Sequence, residues 1–197
     1  MIPLDSSDLI SSGTVRDCYL HPNNPHLVIK LPAGEKREAR LANIRDLRGY
    51  QILMREHVNL FCISHCYGFV TTDRGMGLMC DCIRDDNGAI SKTIRNIIAT
   101  ESECDTRYNL QVVEEFCNFL IFKNIFLFDL NPGNIVLKRM DDGTYQPVVI
   151  DLKGRYENHE FIPLSSHIVY FARKKLKRRC DELINRILVY RNKGSWL

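Results

Sequence analysis

The chain has 197 residues, 45% of them hydrophobic and 26% charged, the make-up of a folded globular protein long enough for one sizeable core or two small lobes. A formal net charge of +3 is too small to point by itself to nucleic acid or to a membrane. The eight cysteines include several inside apolar runs and read as reduced, buried thiols; Cys62, His65 and Cys66 lack a second Cys/His pair at a spacing that would complete a zinc site. The start, Met1-Ile2-Pro3-Leu4-Asp5, carries no basic segment followed by an apolar one, and the longest apolar stretch, Cys117 to Phe128, is interrupted by Lys123-Asn124. A reduced, cytoplasmic protein is therefore expected.

The first thirty residues read as β structure. Leu9-Ile10 leads into the turn-prone Ser11-Ser12-Gly13-Thr14, and Val15 to Leu20 follows as a strand. His21-Pro22-Asn23-Asn24-Pro25 reads as a turn, and Leu27-Val28-Ile29 as a strand that ends on Lys30 before Pro32-Ala33-Gly34 breaks it. From Glu35 to His57 the apolar residues Leu41, Ile44, Leu47, Ile52 and Leu53 recur near helical spacing. Cys66 to Thr72 and Gly77 to Ile83 read as two more strands joined by Asp73-Arg74-Gly75.

The second half changes character. Ile90 to Thr100 and Tyr108 to Asn124 carry helical periodicity, with Leu110, Val113, Phe116, Cys117, Leu120 and Ile121 on one face of the latter. Two short strands flank the turn Asp141-Asp142-Gly143, and Ser165 to Tyr190 reads as one or two helices. The expected fold class is α+β: a β-rich amino-terminal lobe over 1–86 with one helix, and a reduced helical lobe over 87–197.

The residues that carry chemistry lie in this frame. In Asp129-Leu130-Asn131-Pro132-Gly133-Asn134 an acid and an amide stand five residues apart after an apolar run, and a second apolar run, Val148-Val149-Ile150, ends on Asp151. Phosphoryl transfer from a nucleotide needs such a set: one carboxylate to orient the acceptor hydroxyl, and an amide oxygen and a second carboxylate to hold Mg²⁺. Lys30 ends an apolar strand, where a rigid cation can meet a phosphate chain. Its acidic partner on the helix is Asp46 or Glu38; Asp46 is favoured because it leads into the helix's apolar end. Ser11-Ser12-Gly13-Thr14 is the candidate phosphate-covering loop, with Gly13 the single glycine of the usual pattern. Each feature also has a plain structural reading: a solvated strand-end lysine, a turn aspartate before Pro132, a strand-terminal acid, an ordinary hairpin turn. Their occurrence together, in this order, favours chemistry.

These residues resemble the protein-kinase-like superfamily, and nearly the whole chain resembles the YrbL family of bacterial proteins linked to the PhoP regulatory network. The landmarks include Arg16-Asp17-Cys18-Tyr19-Leu20-His21-Pro22, Val28-Ile29-Lys30, Asp46-Leu47-Arg48-Gly49-Tyr50, Tyr67-Gly68-Phe69-Val70, Asp129 to Ile135, Asp151 with Gly154, and Ile162-Pro163-Leu164. The resemblance implies a minimal two-lobed kinase-like fold that binds ATP and Mg²⁺. It gives Lys30 the ATP-binding role, Asp46 that of the helix acid, Asp129 that of the catalytic aspartate, and Asn134 and Asp151 that of metal ligands. The backbone from Cys80 to Ile83, with Asp81 and Cys82, would form the hinge against adenine.

Departures accompany the resemblance. Leu127 and Phe128 stand where protein kinases carry His-Arg, Asn131 replaces a basic residue, and Asp151-Leu152-Lys153-Gly154 has one extra residue before its glycine. The stretch after Gly154 is too short for a full activation segment and peptide-docking lobe, so a peptide substrate is not expected. The implied function is transfer of the γ-phosphate to a hydroxyl of a small molecule, an envelope saccharide precursor or the protein itself. The alternative is a pseudokinase-type nucleotide-binding module acting through a protein partner, which the degenerate Ser11–Gly13 loop and Asn131 favour.

The basic run Arg173-Lys174-Lys175-Leu176-Lys177-Arg178-Arg179 follows Val169-Tyr170-Phe171. It admits three readings: a site for an acidic or phosphorylated partner, a patch for anionic lipid with Tyr170 and Phe171 at the interface, or the solvated face of a helix. Nucleic acid is not expected, because no groove-reading motif accompanies the run.

Overall fold

The computed structural model describes residues 1–34, 37–57, 60–100, 103–127, 129–152 and 169–193. They form an α+β protein of two compact units, one comprising Met1–Arg84 and a return segment that begins at Leu152, the other comprising Asp85–Asp151 and the carboxy-terminal helix.

The first unit is an antiparallel sheet of five strands in the order β1-β2-β3-β5-β4. The strands are β1 (Leu9–Ser12), β2 (Arg16–His21), β3 (Asn24–Pro32), β4 (Cys66–Thr72) and β5 (Gly75–Asp81), with helix α1 (Arg37–Glu56) between β3 and β4. The central strand β3 is buried over Val28-Ile29-Lys30-Leu31. Ile29 and Leu31 join Leu4 and Tyr19 in a core on one face, with Ile2 and Val70 packed against it. Because successive side chains on a strand alternate, Lys30 must leave the opposite face, the one that α1 occupies.

Three strand limits differ from the sequence-based expectation. Ser11 and Ser12 pair with Cys18 and Asp17 as strand residues, so the hairpin turn narrows to Gly13–Val15. The next turn is only Pro22-Asn23, and β3 already contains Asn24 and Pro25. Pro25 is tolerated because the ladder to β5 begins at Leu27, where a backbone N–H is first needed on that side. Strand β5 runs from Gly75 to Asp81 and stops short of Ile83.

The second unit contains α2 (Ile94–Ile98), α3 (Glu103–Lys123), the hairpin β6 (Ile135–Arg139) and β7 (Tyr145–Val149), and α4 (Val169–Lys193). Helix α2 is shorter than the expected Ile90 to Thr100. Thr93 caps it by accepting the Asn96 N–H, and the preceding residues are pulled into extended pairing. Leu137 donates its N–H to the Lys92 carbonyl, and Thr93 bridges Val136. Tertiary pairing thus overrides helical periodicity there. Val113, Phe116, Cys117 and Leu120 of α3 and Leu176, Cys180, Leu183 and Ile187 of α4 are buried, and the two helices pack together. Asn124, at φ 56°, ends α3 in the left-handed conformation. The expectations on Glu35, Phe128, Lys153, Gly154, Ile162–Leu164 and Ser165 lie outside the described residues.

Candidate functional site

In the first unit the side chains of greatest interest surround Asp46. Lys30 Nζ stands 2.7 Å from Asp46 Oδ2, and Arg16 Nη1, from β2, reaches the same oxygen at 2.8 Å. The other oxygen, Oδ1, accepts the N–H of Leu152 at 2.8 Å. Asn43, one turn before Asp46 on α1, accepts a bond from Arg16 at 3.3 Å and donates to the Lys30 carbonyl at 2.7 Å. Lys30 and Asp46 are 9% and 4% exposed, so these are desolvated charges whose positions depend on one another. Glu38, in the first turn of α1, is exposed. No local sequence pattern marks Arg16 for this cluster, and Asn43 carries only a weak one. That signal is an amide three residues before an acid on a helix whose neighbouring positions are charged.

The Ser11-Ser12-Gly13 segment forms the β1–β2 hairpin end. Ser12 Oγ donates to Asp17, and the Gly13 N–H donates to the Arg16 carbonyl at 2.8 Å. A Cβ at Gly13 would stand 3.1 Å from that carbonyl, so the turn is tight as well as internally bonded. Asp81 accepts bonds from Tyr67 Oη at 2.9 Å and the His65 N–H at 3.1 Å, while its own N–H donates to the His65 carbonyl. Cys82 is buried and its N–H donates to the His26 carbonyl at 2.8 Å.

Thiols cluster beside this region. Cys66 and Cys80 are paired across β4 and β5, and a hydrogen bond between the two thiols raises Cys80 and lowers Cys66 from the ordinary thiol value. Cys62 is buried, and desolvation pushes its thiol up to about 11. His65 stacks edge-on to Tyr50 and Tyr67.

In the second unit the loop before β6 holds Asp129, Asn131 and Asn134, all half-buried. Asn134 Nδ2 donates to Asp129 Oδ2 at 3.0 Å, an orientation that turns the amide oxygen Oδ1 away from the carboxylate. Asn131 closes the turn on itself: Oδ1 accepts the Gly133 N–H at 2.9 Å and its carbonyl accepts the Asn134 N–H at 3.0 Å. Asp151 lies at the end of the same ladder as Asn134. Ile135 pairs with Val149, and the Ile150 N–H donates to the Asn134 carbonyl at 2.9 Å. Among the described residues no three His, Cys, Asp or Glu side chains gather as a metal cage. No described helix is long and apolar enough to cross a membrane.

These features define an α+β protein with a buried Lys–Asp pair joined by a half-buried arginine on one unit, and an Asp–Asn loop with an aspartate past the end of β7 on the other. The chain belongs to the PhoP regulatory network protein YrbL family, whose profile matches residues 2–188. It is similar to the protein YrbL of Escherichia coli (strain K12), with 28% identity over 183 residues, 90% of this chain and 84% of that protein. YrbL of Shigella flexneri matches with the same identity and coverage.

Proposed function

We propose that this protein is an ATP- and Mg²⁺-dependent phosphotransferase of minimal two-lobed, protein-kinase-like fold, acting in the bacterial cytoplasm on a hydroxyl acceptor: a small molecule, an envelope saccharide precursor or its own side chains. The observation that carries this reading is Lys30, a cation held rigidly on a central strand by a buried helix carboxylate. In its proposed role Lys30 contacts the α- and β-phosphates and Asp46 keeps the ammonium in place. Asn134 and Asp151 would hold the ion through oxygen, the donor type that a hard divalent cation prefers. The chemistry such an ion would supply there is neutralisation of charge on the phosphates. Asp129, fixed by the Asn134 amide, orients the acceptor hydroxyl and takes its proton.

The test is nucleotide binding followed by turnover. ATP with Mg²⁺ at a hundred times its Kd should stabilise the fold by about 2.7 kcal/mol. Asp151→Ala should remove the Mg²⁺-dependent part of that shift, and γ-labelled ATP should yield a labelled product with the wild type. Absence of both stabilisation and label sinks the reading.

A second reading has observations in its favour. The Ser12 hydroxyl and the Gly13 N–H are engaged within the hairpin, and the Asn131 side chain is taken up by its own turn. Groups that a phosphate-gripping site would use are thereby occupied. A pseudokinase-type module that binds nucleotide and regulates a protein partner fits this, and it would show stabilisation by ATP without labelled product.

A further inference from the structure

The end of α3 and the start of α4 present an uncommon surface. Phe122 is 76% exposed and Tyr170 69%, and Val169 and Phe171 are exposed beside them. Arg173 Nε donates to Asn124 Oδ1 at 2.6 Å, which ties the first turns of α4 to the residue just after Phe122 and Lys123. Large apolar side chains so exposed are normally tucked under a neighbour or matched to a partner surface.

Charge surrounds them. Arg173, Lys174, Lys177 and Arg178 are exposed, as is Lys123, whose ammonium lies over the Phe122 ring. Ala172, Leu176 and Cys180 are buried, so the cations occupy the opposite side of α4. Tyr170, Lys174 and Lys177 follow at four and three residues and share one face, which covers about 12 Å from Tyr170 to Arg178. Of the basic run, Lys175 is buried and Arg179 half-buried against Glu182, so those two are not part of this face; Arg178 also lies 3.6 Å from Glu182 but stays exposed. Asp181 is the first exposed acid beyond it.

We propose that this face docks on an anionic phospholipid surface, with Phe122, Tyr170 and Phe171 entering the headgroup–acyl boundary and Lys123, Arg173, Lys174, Lys177 and Arg178 meeting lipid phosphates. The pattern of protruding rings beside a one-sided row of flexible cations is that of interfacial anchoring. A phosphorylated peptide would ask instead for convergent, ordered donors around one phosphate. A single-stranded nucleic acid would ask for a groove with rings lying flat as stacking platforms, whereas Tyr170 and Phe171 meet edge to face. The inference is independent of the proposed chemistry, since none of these residues has a role in it.

The experiment is co-sedimentation of the full chain with vesicles of phosphatidylcholine alone and of phosphatidylcholine mixed with phosphatidylglycerol. Binding should appear with the mixed vesicles only and weaken as salt rises. Each cation lost should lower affinity about fivefold, so Lys174→Glu with Lys177→Glu should reduce it on the order of 25-fold or more. Phe122→Ala with Tyr170→Ala should also reduce binding, at an unchanged melting temperature, since both rings are exposed. Equal binding to both vesicle types, no binding to either, or retention by the charge-reversed variant overturns the proposal. So does tighter binding to a phosphoserine peptide or to an oligonucleotide than to the mixed vesicles.

Discussion

Lys30 Nζ and Asp46 Oδ2 meet at 2.7 Å from positions sixteen residues apart, and Arg16 shares the same oxygen at 2.8 Å. The carboxylate is therefore the common partner of two cations, and the two ends of the ion pair are not equivalent. Asp46→Ala withdraws that carboxylate from both Lys30 and Arg16 and should cost about 3–5 kcal/mol. Lys30→Met keeps an aliphatic stem in place and leaves Asp46 with Arg16 and the Leu152 amide, so it should cost much less. Urea unfolding of the two variants checks the order; equal losses would mean that Arg16 contributes nothing.

Lys30→Met is also a functional probe. Under the proposed chemistry it should remove the stabilisation by ATP with Mg²⁺ while the protein remains folded. Thermal melts with and without nucleotide supply the measurement.

Asp129→Asn should lower transfer by about 10²–10⁴-fold, the usual contribution of a positioned acid or base, and leave the nucleotide-induced shift in melting temperature nearly intact. Single-turnover labelling reads the first effect and a thermal melt the second. A variant that labels at the wild-type rate would show that Asp129 serves only to hold the Asn134 amide.

Gly77 sits where β5 approaches β3 closely. A Cβ there would run into the fully buried Ile29 side chain, with Leu31 at 3.1 Å. Neither neighbour can swing into solvent, so Gly77→Ala should destabilise by about 1–3 kcal/mol through overpacking. The midpoint of denaturant unfolding is the readout.

Asp86 provides a pH test. The Lys138 ammonium, first, and the Asp141 N–H hold its carboxyl below the ordinary carboxylate value. A carboxyl depressed in the folded state contributes stability above its unfolded pKa of about 3.9 and loses it as pH falls through the folded value. Asp86→Asn should therefore be less stable than the wild type near neutral pH, with the gap closing in acid. A gap that stays constant down to the acid end would refute the assignment.

Cys62, pushed up to about 11 by burial, should resist alkylation at mildly alkaline pH in the folded chain and react fully once unfolded. Mass spectrometry after iodoacetamide, with and without urea, measures this.

Elements whose pattern is local are legible in the amino-acid order. The apolar run Leu27-Val28-Ile29, the turn residues Asp73-Arg74 and Asp141-Asp142, and the helical spacing of Val113, Phe116, Cys117 and Leu120 are each signals carried by residues close together in the chain. Local pattern offers both Asp46 and Glu38 as the partner of Lys30 and favours Asp46. Packing of α1 on β3 decides it, because that packing buries one acid and leaves the other in water. Tertiary structure alone brought Arg16 to Asn43 and Asp46, cut α2 down by pairing Lys92 and Thr93 with β6, and joined Ile150, the residue before Asp151, to Asn134 at the end of the β6–β7 ladder. These are contacts between segments distant in the chain, which lower the energy only after the backbone between them has been ordered.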